Sequence, residues 1–276
     1  MAPDRQRRGE PGDCHSLWIG SSIPPLARAC LQSFLRHGHR VFLHSYAPIP
    51  TPPAGVEVLD ASRIVPEEKI VRHHRSGSVS LFSNYFRYKL SDHYRGFWID
   101  CDVYCLRHFD FADTLVLGWE SDATVNGAVL RLEPGSALQR DAIALFESPR
   151  PSFPWFAWDQ ILRARLRSLL HRKPLICFLP WGAAGPRALT WLVAKHGLQD
   201  RVQPVPVFYP LPYSEARRLR ERAFDPRPLF TRETVAMHLW NEQLAQGPQE
   251  TEPGSFLDRL EREAAGGEAA LAAPEA

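Results

Sequence analysis

The chain has 276 residues, with 33 Lys and Arg against 31 Asp and Glu, a formal net charge of +2, 44% hydrophobic and 23% charged residues. That balance belongs to a folded protein and excludes a disordered polymer, while 25 prolines and 17 glycines favour short elements and many turns over a helical bundle. Basic residues are scattered rather than massed, so no nucleic-acid partner is expected and any bound anion must be held locally.

Residues 1–15 are mostly polar, rich in Arg and Pro, and lack the apolar stretch of a secretory signal; they read as a flexible N-terminal arm. No later run reaches the roughly 18 apolar residues that span a bilayer, and a cytoplasmic chain is expected. The five cysteines (Cys14, Cys30, Cys101, Cys105, Cys177) are odd in number and lack paired metal-site spacing, which marks them as reduced structural thiols. A strand is predicted at 17–20. The helix after Pro24-Pro25 places Leu26, Cys30, Leu31, Phe34 and Leu35 on one face, with Gly38 beyond its end, and strands follow at 40–44 and 56–60. That opening is a βαβ unit with a right-handed crossover expected.

The next helix is predicted over 82–94, with Gly96 as its C′ glycine, and leads into a buried strand at 97–100. Strands at 114–119 and 125–132, helices at 136–146 and 159–171, a strand at 175–179, a helix at 186–196 and strands at 201–208 and 235–240 complete the reading. The core is expected to end near Glu242. The result is a single α/β domain over 16–245, with a mixed, mostly parallel sheet flanked by helices, and a low-complexity, largely disordered tail over 246–276 in which 256–263 alone is patterned as an amphipathic helix.

The chemistry concentrates at Asp100-Cys101-Asp102, the carboxyl end of the strand at 97–100. A side-chain period of two puts both carboxylates on one face and Cys101 on the other. Ligands of open α/β sheets bind beyond that end of the strands, and two hard oxygen ligands there suit Mg²⁺ or Mn²⁺ with free positions for a diphosphate. Taken alone, the triplet is more simply a solvated turn. Glu120, Asp122 and Asn126 follow the strand at 114–119 and are polar side chains suited to face a substrate. His238 is unexpected in the apolar run at 235–240, where a hydrogen-bonded core histidine is the commoner outcome.

The run Phe82-Ser83-Asn84-Tyr85-Phe86-Arg87-Tyr88-Lys89-Leu90, followed by Arg95-Gly96-Phe97-Trp98-Ile99-Asp100-Cys101-Asp102, resembles the donor-site block of glycosyltransferase family 32 and its α-1,4-galactosyltransferase relatives. In that family a helix bearing Ser-Asp-x-x-Arg-Tyr precedes Gly-Gly-x-Tyr-x-Asp-x-Asp. The resemblance runs from Leu17-Trp18-Ile19-Gly20 to Met237-His238-Leu239-Trp240-Asn241 and includes Asn126-Gly127-Ala128-Val129-Leu130 and Gly185-Pro186. It implies a GT-A fold and a metal-dependent transferase that moves a hexose, with retention, from a nucleotide-sugar donor such as a UDP-sugar to a glycan or glycolipid acceptor in polysaccharide biosynthesis.

By that resemblance Asp100, Asp102 and His238 hold the metal, and imidazole ligation favours Mn²⁺ over Mg²⁺. Asp100, Asp102, Glu120 and Asp122 are the catalytic candidates, while Trp18, Gly20, Ser21, Asn84, Arg87 and Asn126 are assigned to the donor; no catalytic base is assigned. Two departures stand out. Asn84 replaces the acid that binds donor-sugar hydroxyls in the family, and Arg95 replaces the first glycine of the pair. Three rivals are a non-catalytic sugar- or nucleotide-binding protein, a sugar-nucleotidyltransferase on a similar fold and a metal-dependent phosphohydrolase. The helix in the tail mixes acidic and basic residues and makes a poor lipid anchor, so any association with the membrane's inner face is peripheral.

Overall fold

The computed structural model describes residues 8–247 and 249–266. The βαβ opening forms as β1 (Cys14–Trp18), α1 (Pro25–Arg36), β2 (Val41–Ser45) and β3 (Glu57–Asp60). Pro25 occupies the first helical turn of α1, where its missing N–H costs nothing. After α2 (Ser80–Leu90), β4 (Phe97–Ile99) returns to the sheet beside β1, and β5 (Val103–Cys105) follows the aspartate turn. β6 (Val116–Ser121) and β7 (Thr124–Arg131) form a hairpin.

The central sheet has six strands in the order β3-β2-β1-β4-β7-β6. Pairings β3–β2, β2–β1 and β1–β4 are parallel, and β7 enters antiparallel to both β4 and β6. The fold is therefore α/β, with a mostly parallel sheet compatible with a Rossmann-like arrangement. Alternation along β4 sorts its residues to two faces: Phe97 and Ile99 join the core formed with Phe34 of α1, while Trp98 joins Phe82 and Phe86 of α2 on the other side. Helices α3 (Ala137–Glu147) and α5 (Pro186–Lys195) complete that second layer through Leu138 and Leu189. Helix α4 (Trp158–His171) covers a smaller cluster around Phe153, Phe156 and Phe178.

Several elements differ from the sequence expectation. The apolar run at 175–179 is a short 3-10 helix, Leu175–Phe178, because Pro174 and Pro180 bracket it too closely for a strand. The stretch at 201–208 contains Pro204 and Pro206, which cannot donate to a ladder, and folds as α6 (Val205–Phe208); only Gln203 bridges to Gly118. Helix α2 stops at Leu90, so Gly96 is not its C′ residue. Gly96 (φ +101°) instead passes so close to Asp13 that a Cβ would lie 2.2 Å from the Asp13 carbonyl oxygen.

The late strand is β8 (Ala236–His238), which pairs antiparallel with β5 and leads into α7 (Asn241–Leu244). The core does not end near Glu242. Residues 256–264 form α8 (Phe256–Ala264), which packs on α1 and buries Phe256, Leu257 and Leu260 in the main core. At the other end, Asp13, Cys14 and His15 are buried in the fold rather than part of a free arm. The remaining parts of the two expected flexible ends, 1–7 and 267–276, lie outside the described residues. All five cysteines are free thiols, and no described helix is long and apolar enough to cross a membrane.

Candidate functional site

Asp100 and Asp102 stand where β4 leaves the sheet. Asp100 N–H donates to Ala128 O (2.7 Å), which holds the strand end against β7, and Val103 N–H returns to Asp100 O (3.1 Å). The two carboxylates thus share a cavity through a tight turn rather than through continued strand pleating, while Cys101 turns back to Ser16 Oγ (3.0 Å). The register Val103↔His238 in the β5–β8 ladder brings His238 opposite the turn. His238 Nε2 lies 3.2 Å from Asp102 Oδ1.

The other oxygen of Asp102 accepts the Asn241 N–H (2.9 Å). Trp240, immediately before, adopts a left-handed φ of 56°, a conformation that costs a bulky residue about 1–3 kcal/mol and that lets α7 start with its first N–H aimed at the carboxylate. The Trp240 indole N–H is anchored on Leu211 O (2.8 Å), and its ring packs against His238 at a centroid distance of 4.1 Å. Asp100 Oδ1 takes the Trp98 indole N–H (2.7 Å) and the Arg87 guanidinium (2.9 Å).

The electrostatics separate the two acids. Burial raises Asp100 above the usual carboxylate range, with Asp102 adding to the rise and Arg87 opposing it. Burial also pushes Asp102 upward, but the facing imidazolium, its hydrogen bond and the Asn241 N–H outweigh that and hold it low. His238 is pushed down by burial and raised more strongly by Asp102, Asp100 and Glu120. One ligand atom from each of Asp100, Asp102 and His238 lies within 4.8 Å of the others. Atoms on opposite sides of an ion with bonds of about 2.1 Å are about 4.2 Å apart, so a small side-chain adjustment lets this set hold a metal ion. Carboxylate oxygens and an imidazole nitrogen are donors that first-row divalent cations accept.

The cavity above the cluster measures about 480 Å³ and is lined by Asn84, Arg87, Asp100, Asp102, Glu120, Asn126 and His238 among others. Glu120 accepts the Asn126 amide N–H (2.6 Å), and Asn126 Oδ1 takes the Ala128 N–H (2.8 Å), so the amide's orientation is fixed. Burial raises the Glu120 carboxyl, partly offset by that Asn126 bond. Arg87 is 8% exposed and spends its donors inside the protein: on Gly127 O (2.5 Å), Ser83 Oγ (3.2 Å) and Asp100. It holds the aspartate rather than reaching freely for a donor. Asn84 Nδ2 donates to Ser80 O (3.1 Å).

A side cavity of about 320 Å³ joins Trp18 to Arg87, Asp100 and Asp102. Gly20 and Ser21 are exposed just beyond it and line neither cavity; they lie past the end of β1. Asp122 does not reach the site either, because it sits exposed in the two-residue turn joining β6 to β7. Trp155 packs near Phe153 and Trp191 and belongs to core cover, not to the cavity wall. Trp181, Gly182, Ala183 and Ala184 of the Gly-rich turn do line the cavity, and the turn is tied to α2 by Tyr88 OH on Ala184 O (2.6 Å).

Sequence reasoning missed Tyr213 and Glu242 as lining residues, and His73 lines the cavity as well. Tyr213 begins a 3-10 segment after Pro212, where no hydrophobic period points to a site. His73 is pinned by Leu179 O (3.2 Å) and Ser76 Oγ (2.9 Å) at the rim. Neither the protein-family models nor the curated proteins searched include a match to this chain.

Proposed function

We propose that the protein is a metal-dependent glycosyltransferase that moves a hexose from a nucleotide-sugar donor, such as a UDP-sugar, to a glycan or glycolipid acceptor with retention of configuration. The observation that carries this reading is the convergence of Asp100, Asp102 and His238 at the carboxyl end of a buried strand, at the floor of a cavity of about 480 Å³. Asp100, Asp102 and His238 would hold the cation, whose charge would offset the negative charge that builds on the leaving diphosphate.

The chain's own residues supply position. Trp98 and Arg87 orient Asp100, the Asn241 N–H orients Asp102, and the Trp240 ring fixes the imidazole plane. Asn84, Glu120 and Asn126 present amide and carboxylate groups to sugar hydroxyls, and Trp18 offers an aromatic wall for the nucleoside in the adjoining cavity. Calorimetry with UDP and GDP, each with and without Mn²⁺, tests the reading. Nucleotide binding that requires Mn²⁺ and is lost in Asp102→Asn supports it; full turnover or metal-independent binding in that variant overturns it.

A further inference from the structure

Helix α4 presents its apolar side to solvent. Of its 14 residues only Ala164 is buried, whereas Trp158 (77%), Leu162 (47%), Leu166 (60%), Leu169 (77%) and Leu170 (78%) are exposed. At 100° per residue these five side chains fall within one arc of about 120°. Arg165 borders the arc on one side, Arg163 and Arg167 border it on the other, and Arg172 and Lys173 follow the helix end. The single acid in this stretch, Asp159, is ion-paired with Arg163. In a chain whose net charge is only +2, this is a local concentration of cations around a stripe of Leu and Trp.

That combination selects the partner. A second copy docking through the same patch would oppose arginine borders to arginine borders, which is repulsive in a two-fold interface. An anionic bilayer accepts both features, since Leu and Trp enter the acyl–headgroup boundary while the arginines reach up to lipid phosphates. We infer that α4 docks this protein on an anionic membrane surface. Arg163 and Arg167 also line a cavity of about 990 Å³ whose far wall includes Asp102, Asn241 and Glu242. Resting on the transferase reading, this arrangement makes the acceptor lipid-borne: its lipid stays in the bilayer and its sugar reaches the aspartates along the arginine border.

The docking is tested without donor or metal, by co-sedimentation with vesicles of phosphatidylcholine alone and of equal parts phosphatidylcholine and phosphatidylglycerol. The wild-type chain is expected to bind the anionic vesicles, to be released by high salt and to leave phosphatidylcholine vesicles unbound. The pairs Leu169→Ser with Leu170→Ser, and Arg165→Glu with Arg172→Glu, should each weaken partitioning by about tenfold or more. These side chains are exposed, so thermal unfolding and Mn²⁺-dependent nucleotide binding should stay as in wild type. Equal binding to both vesicle types, no binding to either, or unchanged binding by both variants overturns the inference. So does a dimer that the leucine pair converts to monomer with no change in vesicle binding, which would make the face an interface between copies. Asp102→Asn should bind vesicles like wild type, so loss of the transferase reading leaves the docking result intact, and the reverse.

Discussion

Arg87 and Asp100 form an ion pair, Nη2 to Oδ1 at 2.9 Å, beneath the ring of Trp98, whose centroid lies 4.9 Å from the guanidinium carbon. The same guanidinium closes the gap between α2 and β7 through Gly127 O. Gly127 also lets α5 pack closely here, because a Cβ there would meet Leu189 Cδ1 at 2.8 Å and lie 3.4 Å from Arg87 Nη1. Replacing Arg87 by Gln removes the cation from a half-buried carboxylate and leaves the Gly127 carbonyl short of a donor. We expect a loss of about 3 kcal/mol in unfolding free energy, read as a lower urea midpoint, with Arg87→Lys recovering less than half because an ammonium cannot fork to both acceptors.

His238 decides metal preference under the proposed function. Replacement by Asn keeps a polar side chain in the β8 register but removes the imidazole nitrogen from the ligand set. Mn²⁺ affinity should fall by about tenfold or more, while Mg²⁺, which gains less from nitrogen ligation, should fall by less. Titration of each cation by calorimetry reads the ratio; a variant that keeps the wild-type preference for Mn²⁺ would remove His238 from the metal site.

The parts of the fold legible in the sequence are those with a strong period. The βαβ opening, α2, α5 and the β6–β7 hairpin sit within a few residues of expectation, because one apolar face of each meets the core. Asp100, Asp102 and His238 were also legible as a group, through the family resemblance, and they do converge. What the pattern did not reveal depends on long-range packing. Nothing local in Val103-Tyr104-Cys105 announces that it pairs with β8, and the proline-flanked runs at 175–179 and 201–208 are apolar because they are buried, not because they are strands. Arg87 was expected to face the donor; only the tertiary structure reveals that Asp100, Ser83 and Gly127 claim its donors. The tail was misread for a related reason, since a short charged helix gives no local sign of the groove that receives it.

That groove couples α8 to the site. Glu263, buried on α8, accepts the Tyr104 hydroxyl (2.8 Å) and is ion-paired with Arg36 of α1. Tyr104 lies on β5, one residue beyond the Val103↔His238 register position. Phe256→Ala should cost about 3–5 kcal/mol through the cavity it opens. Glu263→Ala should cost less, about 2 kcal/mol, since Arg36 keeps partial access to water while Tyr104 loses its acceptor. Under the proposed function, and because Asp102 precedes β5 while His238 lies on β8, Glu263→Ala is also expected to weaken Mn²⁺ binding measured well below its unfolding temperature, an effect that a substitution of similar cost in α3 should not share.

The His15–His44 pair makes the fold sensitive to acid, alongside His39, which burial lowers to about 4 as well. His15 Nε2 faces the Arg95 carbonyl (3.2 Å), so it must donate there, and His15 Nδ1 is then left to accept from His44 Nε2 (3.1 Å). Both rings are neutral in this arrangement, and His44 Nδ1 is buried without a hydrogen-bond partner among the described residues. Protonating His15 would turn both of its nitrogens into donors and force the His44 proton onto that unpartnered Nδ1. Burial lowers His15 from 6.5 to about 4, with Asp13 opposing and Arg40 assisting, and it drives His44 well below its usual value, helped by His15 and His93. The sign follows directly: below the usual imidazole pKa the unfolded chain takes up protons that the native rings refuse, so these two rings add no slope above about pH 6.5 and cost stability as pH drops towards 4. The slope should approach about 1.4 kcal/mol per pH unit for each imidazole, and about 3 kcal/mol in all for His15. Urea midpoints from pH 7 to about pH 4.5 check it. A His15→Gln variant should be less stable at pH 7 but show a shallower acid slope, whereas an unchanged slope would place the acid sensitivity elsewhere.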